Sequence, residues 1–134
     1  MKRIIVVVCI LAVAGSLMAC SVQKISTDKI RDLEFTVVTE EIPDELREMI
    51  ASQKGKAFKL TYADQGMLYI TEGYGKQSTS GYSIEVTECY ESSNAVYFHS
   101  NLIGPSKEER IVEKETYPYV VIQIEFTEKH VVFM

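Results

Sequence analysis

The sequence is poor in residues that build covalent or metal-held frameworks. It has three cysteines. Cys9 lies in an apolar opening segment, Cys20 directly follows that segment, and Cys89 stands alone beyond it. The part that folds therefore has no pair from which to make an internal disulfide and must be stabilised by packing. The two histidines, His99 and His130, are far apart and have no paired spacing to a cysteine or carboxylate. A zinc site needs several convergent ligands, so no metal is expected. Glu108-Glu109 and Glu113 to Glu115 lack the glycine turn and oxygen spacing of a calcium loop and read as a solvated charged face. There is no Gly-x-Ser-x-Gly elbow, and the hydroxyl cluster Ser78, Thr79, Ser80 and Ser83 comes with no convergent acid and base. Catalysis and cofactors are not expected. Internal repeats and low-complexity runs are missing as well.

Tryptophan is also absent, whereas tyrosine occurs eight times, always beyond the opening segment. Tyrosine has an apolar body and a polar tip. It suits either plain sheet packing or a protein interface, and the sequence leaves both open.

The opening segment places two basic residues, Lys2 and Arg3, before an almost wholly apolar run from Ile4 to Met18. That run is shorter than the ~20 residues a membrane-spanning helix needs. A charged start, a short apolar middle and a small residue before a cut site describe a secretory signal. Leu17-Met18-Ala19-Cys20 resembles a lipobox, at which a lipoprotein signal peptidase cuts before a diacylated cysteine. The expected division is a lipoprotein signal peptide at 1–19, a polar tether at 20–28 starting from lipidated Cys20, and a single β-rich domain at 29–134. The expected location is outside the cytoplasm, anchored on the outer face of the plasma membrane or in an outer membrane. Removing Lys2 and Arg3 from the 14 basic residues leaves 12 against 19 acidic ones, a net charge of −7. Such a surface repels phosphate backbones, so nucleic acid is not expected as a partner.

Beyond the tether the apolar residues follow a period of two. Ile30 to Val38 reads as a half-buried strand with Leu33, Phe35 and Val37 on one face. One helix interrupts the pattern. Pro43 suits its first position, Asp44 and Glu45 meet its positive end, and Ile42, Leu46, Met49 and Ile50 form one apolar stripe. Gly55 can stop it. The helix is expected to cover one side of a sheet. Ala57 to Thr71 reads as a hairpin around Asp64-Gln65-Gly66. Tyr82 to Val86 and Ala95 to His99 read as strands joined through Ser92-Ser93-Asn94. Tyr119 to Phe126 is the cleanest strand, with Val120, Ile122, Ile124 and Phe126 facing one way. A short last strand is expected at His130 to Phe133. Between Ile103 and Glu115 the sequence allows either a short helix, from the capping-box spacing of Ser106 and Glu109, or an edge strand at Arg110 to Val112. The expected fold is mainly β with one helix: an antiparallel β-sandwich or small barrel-like sheet covered by that helix.

Two segments carry a resemblance. Gly75-Lys76-Gln77-Ser78-Thr79-Ser80-Gly81-Tyr82-Ser83-Ile84 resembles the Gly-x-x-Pro-Thr-Gly-Gly-Tyr-x-Ile signature of the PrcB C-terminal domain family. Thr116-Tyr117-Pro118-Tyr119-Val120-Val121 is similar to that family's second signature, Thr-x-Pro-Tyr before a hydrophobic strand. The likeness spans about residues 57 to 126. Thr79, Gly81, Tyr82, Pro118 and Tyr119 match, while Ser78 and Ser80 stand where the family usually has proline and often glycine, which implies a less rigid loop. The resemblance implies a non-catalytic lipoprotein subunit that binds and stabilises a partner, a protease in the case that names the family. Docking is expected through this loop and its flanks, with Tyr74, Ser78, Thr79, Ser80, Gly81 and Tyr82 in the first segment and Tyr117, Pro118 and Tyr119 in the second as candidate partner-binding residues. A loop of this kind is also similar to those of chagasin-like cysteine protease inhibitors, although this chain lacks their Pro-Trp pair. That likeness implies an inhibitor presenting the 74–82 loop.

Overall fold

Two strands are apolar on both of their faces, and the rest of the fold covers them. In the computed structural model, which describes residues 27–134, β4 (Met67–Tyr74) and β7 (Tyr119–Glu125) pair antiparallel at the centre of one sheet. The expected signal peptide, Cys20 and most of the tether lie outside the described residues. On one face of this pair Leu68, Ile70, Val120, Ile122 and Ile124 are buried, and on the other Tyr69 and Val121. Neither face can be left to water, because each fully buried side chain of this size contributes about 1.5–3 kcal/mol.

Two layers supply the cover. The first sheet has the order β2-β7-β4-β3, with β2 (Thr36–Val37) and β3 (Ala57–Asp64) at its edges. The second has the order β1-β5-β6-β8, from β1 (Arg31–Asp32), β5 (Ser83–Glu91), β6 (Ala95–Ile103) and β8 (His130–Phe133). Its inward residues Val96, Phe98 and Cys89 close over Leu68, Ile70 and Ile122 to form the inter-sheet core. The single helix among the described residues, α1 (Asp44–Gln53), covers the outer face of the first sheet with Leu46 and Ile50, joined by Ile42 just ahead of it, against Phe58, Tyr69 and Val121. Tyr62 pins it further by donating to Glu45 Oε2 at 2.9 Å. The fold is therefore the expected helix-covered sandwich, open at its edges rather than closed into a barrel.

Local chemistry explains the joints. The β3–β4 hairpin turns through Gln65 and Gly66, both at positive φ (49° and 78°), the mirror-image turn whose twist matches the flanking strands. Gly73 lies opposite Phe58 across that hairpin, and a Cβ at Gly73 would overlap the Phe58 ring, 2.7 Å from Cζ. The ring lies on bare backbone, so only glycine fits.

Five expectations are corrected. Residues 30–38 do not make one strand: β1 pairs with β5 in one sheet and β2 with β7 in the other. The chain crosses between sheets at 33–35, which breaks the alternation. Leu33 packs on the core, but Phe35 and Val37 are exposed. Pro43 sits one position before the helix, its carbonyl accepting from Arg47 N–H at 2.9 Å, because its ψ of 138° is not helical. Phe126 lies beyond the end of β7 and is 47% exposed. Residues 104–118 form neither the short helix nor the edge strand, since most of their hydrogen bonds go to the 74–82 segment. Finally, β8 runs parallel to β6. Strand β7 ends at the end of the sandwich where β6 begins, and the short crossing at 126–129 starts β8 there, so the two strands must point the same way.

That crossing is held by charge. Lys129 Nζ donates to Glu91 Oε2 and to the Ser92 carbonyl, both at 2.9 Å, and Arg31 pairs with the same carboxylate. Lys129 chiefly, against the opposing effect of burial and with help from Arg31, holds the Glu91 carboxyl below its ordinary range. One carboxylate thus ties the N-terminal strand and the last crossing to the β5–β6 turn.

Gly73→Ala should lower stability by about 1–3 kcal/mol through overpacking against Phe58. Urea denaturation of the two proteins measures this, and a double variant Gly73→Ala/Phe58→Leu should recover part of the loss.

Candidate functional site

Two crossings between the sheets meet at the end of the sandwich opposite Glu91. Residues 75–82 link β4 to β5, and residues 104–118 link β6 back to β7. They are stitched together. Gln77 and Thr116 exchange two backbone hydrogen bonds, at 2.8 and 3.0 Å. Ser80 N–H donates to the Val112 carbonyl at 3.0 Å, and Val112 N–H donates to Ser80 Oγ at 2.8 Å. Thr116 Oγ1 donates to the Thr79 carbonyl at 2.8 Å, and Tyr74 N–H to the Pro118 carbonyl at 3.1 Å. Gly81 is needed twice over at this seam. Its φ is +92°, and a Cβ would stand 2.7 Å from Pro105 Cβ and 3.1 Å from Glu109 Oε2.

Beneath the loops a polar chain crosses the inter-sheet core. Ser100 Oγ donates to Glu72 Oε1 at 2.7 Å, and Tyr74 Oη lies 2.5 Å from Ser100 Oγ. Since the Ser100 proton serves Glu72, Tyr74 is the donor to Ser100. Burial raises the Tyr74 phenol above its ordinary pKa, with the Ser100 bond opposing and Glu72 adding to the rise, so it keeps its proton. Glu72 and Ser100 are themselves buried. The base of the first loop is thereby fixed to the second sheet.

The sequence-expected residues divide into groups. Tyr82, Pro118 and Tyr119 come together and line a groove of about 320 Å³ with Val37, Ile42 and Ile84. Two of its apolar residues face water, Tyr119 at 40% and Val37 at 50% exposure. Thr79, Ser80 and Gly81 are engaged in the seam between the loops, and Ser78 is exposed at its tip. Tyr74 points into the core. Tyr117 lies away from the groove, under Lys54 Nζ at 5.1 Å from the ring centroid, with its hydroxyl donating to Glu115 at 3.3 Å. It joins the end of α1 to the second loop.

Sequence reasoning did not place Glu72, Ser100 or Val37 at this site. The first two were findable. Leu68, Ile70 and Glu72 share a face by period two, as do Val96, Phe98 and Ser100, so each run places a polar group on a core face. Val37 was assigned to a buried face because the crossing between sheets leaves no trace in the alternation.

Other reactive groups lie elsewhere. Cys89 is 5% exposed in the inter-sheet core, where burial pushes its thiol up to about 11, with Asp32 adding to the rise. A thiol held protonated is a poor nucleophile. His99 Nδ1 is hydrogen-bonded to Thr87 Oγ1, and His130 is exposed on β8. Among the described residues, no group of three histidine, cysteine or acidic side chains is placed to hold a metal ion, and no helix is long and apolar enough to cross a membrane. A second, larger cleft of about 1060 Å³ lies at the opposite end, between residues 31–36 and residues 123–127.

Comparison with known families bears on the groove end. The family model described as PrcB C-terminal matches residues 68–125, which take in β4 to β7 and both crossings. Residues 68–125 belong to the PrcB C-terminal family. The match thus covers the central strand pair, the stitched loops and the Tyr74–Ser100–Glu72 chain, while α1, β3 and β8 fall outside it. No curated protein and no solved structure gives a significant match to the chain.

In this PrcB C-terminal segment, Ser100→Ala should cost about 1–3 kcal/mol, because Glu72 keeps its burial and loses its donor. Denaturant titration measures the loss. Ser100→Thr, which restores a hydroxyl, should recover most of it.

Proposed function

We propose that the protein is a lipid-anchored, extracytoplasmic binding module. In this reading it is a non-catalytic accessory subunit that docks on and stabilises a surface protein complex, with a protease as the favoured partner. The observation that carries it is the groove where both family signatures meet. Tyr82, Pro118 and Tyr119 stand beside exposed Val37 on a base made rigid by loop-to-loop hydrogen bonds. Tyrosines on a preformed support lose little freedom when covered, which suits an interface anchor. The family assignment supports association with a protease complex. The reading of Cys20 as a lipid attachment point rests on the sequence alone, and it places the domain within a short tether's reach of a membrane.

The docking claim is tested by crosslinking the full chain in native membranes and purifying it through a C-terminal tag. The native protein should retain a defined partner, and Val37→Asp/Tyr119→Asp should lose it while keeping the native circular dichroism. If the partner is a protease, it should remain active in the complex. Dose-dependent loss of its activity would support the inhibitor reading instead.

The anchor is tested separately. Cys20→Ser should abolish incorporation of radiolabelled palmitate and shift the protein from the membrane to the soluble fraction. Unchanged fractionation and labelling would overturn the lipidation.

A further inference from the structure

The open side of the sandwich leaves much of the outer edge of β5, the edge away from β6, without a strand neighbour. β1 pairs with β5 at Tyr90 and Glu91, and one more bond, Leu33 N–H to the Cys89 carbonyl at 2.9 Å, closes that ladder. The chain then departs for the other sheet. Among the described residues, no backbone group pairs with the outer edge of β5 from Ser83 to Glu88. A sheet edge of this length is a row of free donors and acceptors on which another strand can form.

The side chains indicate what kind of strand. Ile84 and Val86 are half-buried and turn in toward the core, while Glu85, Thr87 and Glu88 are exposed. The open stretch itself carries two carboxylates and no cation, and exposed Glu34 lies on the crossing that borders it, while Asp32 at the end of β1 is already paired with Lys29 at 2.6 Å. The groove of Tyr82, Tyr119 and Val37 adjoins its beginning, since Ser83 and Ile84 line that groove.

We propose that the free edge of β5 takes up an extended segment of a partner protein in which lysine or arginine alternates with aliphatic or aromatic residues. The segment adds a strand in line with β1. Its apolar side chains continue the face of Ile84 and Val86 into the groove, and its basic ones lie beside Glu85 and Glu88, since successive residues of a strand point to opposite faces. This deepens the docking reading above and rests on it, adding the binding mode and the charge of the bound segment. A second copy of the chain is a poor occupant, because pairing β5 with itself sets carboxylates against carboxylates. The acidic side chains disfavour such self-pairing, yet admit a strand of the opposite charge.

The test uses the full chain and fluorescein-labelled peptides of about eight residues, the length of an ordinary strand. One alternates lysine with valine, one alternates glutamate with valine, and one is the lysine peptide with a central proline. The lysine peptide should bind at least about tenfold tighter than either other peptide, weaken with added salt, and slow amide exchange within 83–88. The variant Glu85→Lys/Glu88→Lys should reverse the preference between the lysine and glutamate peptides. The proposal is overturned if the glutamate peptide binds equally well, if the slowed amides lie elsewhere, or if the charge-reversed protein keeps its preference for lysine. Protection of 83–88 by concentration-dependent dimerisation would overturn it in favour of self-pairing. The membrane crosslinking experiment separates the two levels. A partner retained by Glu85→Lys/Glu88→Lys but lost by Val37→Asp/Tyr119→Asp keeps the docking reading and rejects strand addition. No partner for any form rejects the docking reading itself.

Discussion

The burial of β4 and β7 on both faces is the constraint from which the architecture follows. A strand pair with Leu68, Ile70 and Ile122 on one side and Tyr69 and Val121 on the other needs two covering layers. The second sheet supplies one and α1 the other. No disulfide joins the layers: the one cysteine among the described residues, Cys89, is free and buried. Cohesion therefore depends on close packing, and at Gly73 that packing extends to the ring of Phe58 lying on bare backbone.

Because the two sheets share a chain that crosses between them several times, the ends of the sandwich are where polar chemistry concentrates. At one end Glu91 gathers Arg31 and Lys129 and holds the terminal segments in place. At the other, Tyr74, Ser100 and Glu72 run through the core beneath two loops that hydrogen-bond mainly to each other. The hydroxyl-rich loop thus has an internal explanation. Thr79 and Ser80 use their polar groups to bind the neighbouring loop, which leaves the aromatic and aliphatic side chains beside it as the surface a partner would meet. The resemblance implied a loop loosened at Ser78 and Ser80, but the Gln77–Thr116 bridge and the Ser80–Val112 bonds restrain it from the other side.

The open side of the sandwich shows how one short stretch of chain shapes the accessible surface. Residues 33–35 pass from one sheet to the other. Below them lies the polar cleft near Glu91, and beyond them the apolar groove near Tyr119. The crossing also ends the cover over β5, so groove and free strand edge arise from a single choice of path.

By itself the sequence determined the elements and their inward faces wherever the pattern was local. The amphipathic stripe of Leu46 and Ile50 specified a helix on a sheet, Gln65-Gly66 a tight hairpin, and Val120, Ile122 and Ile124 a core strand, because periodicity and turn chemistry act over a few residues. It also located the two family signatures, since those are runs of neighbouring residues. Only the tertiary structure decided what depends on which strands become neighbours. It split 30–38 between two sheets, made β8 parallel to β6, and sent residues 104–118 to the 74–82 loop rather than into a helix. It placed Tyr82, Pro118 and Tyr119 beside Val37 while turning Tyr74 inward and Tyr117 toward α1. Pairings between residues tens of positions apart are set by how whole layers bury each other, and no local spacing encodes that.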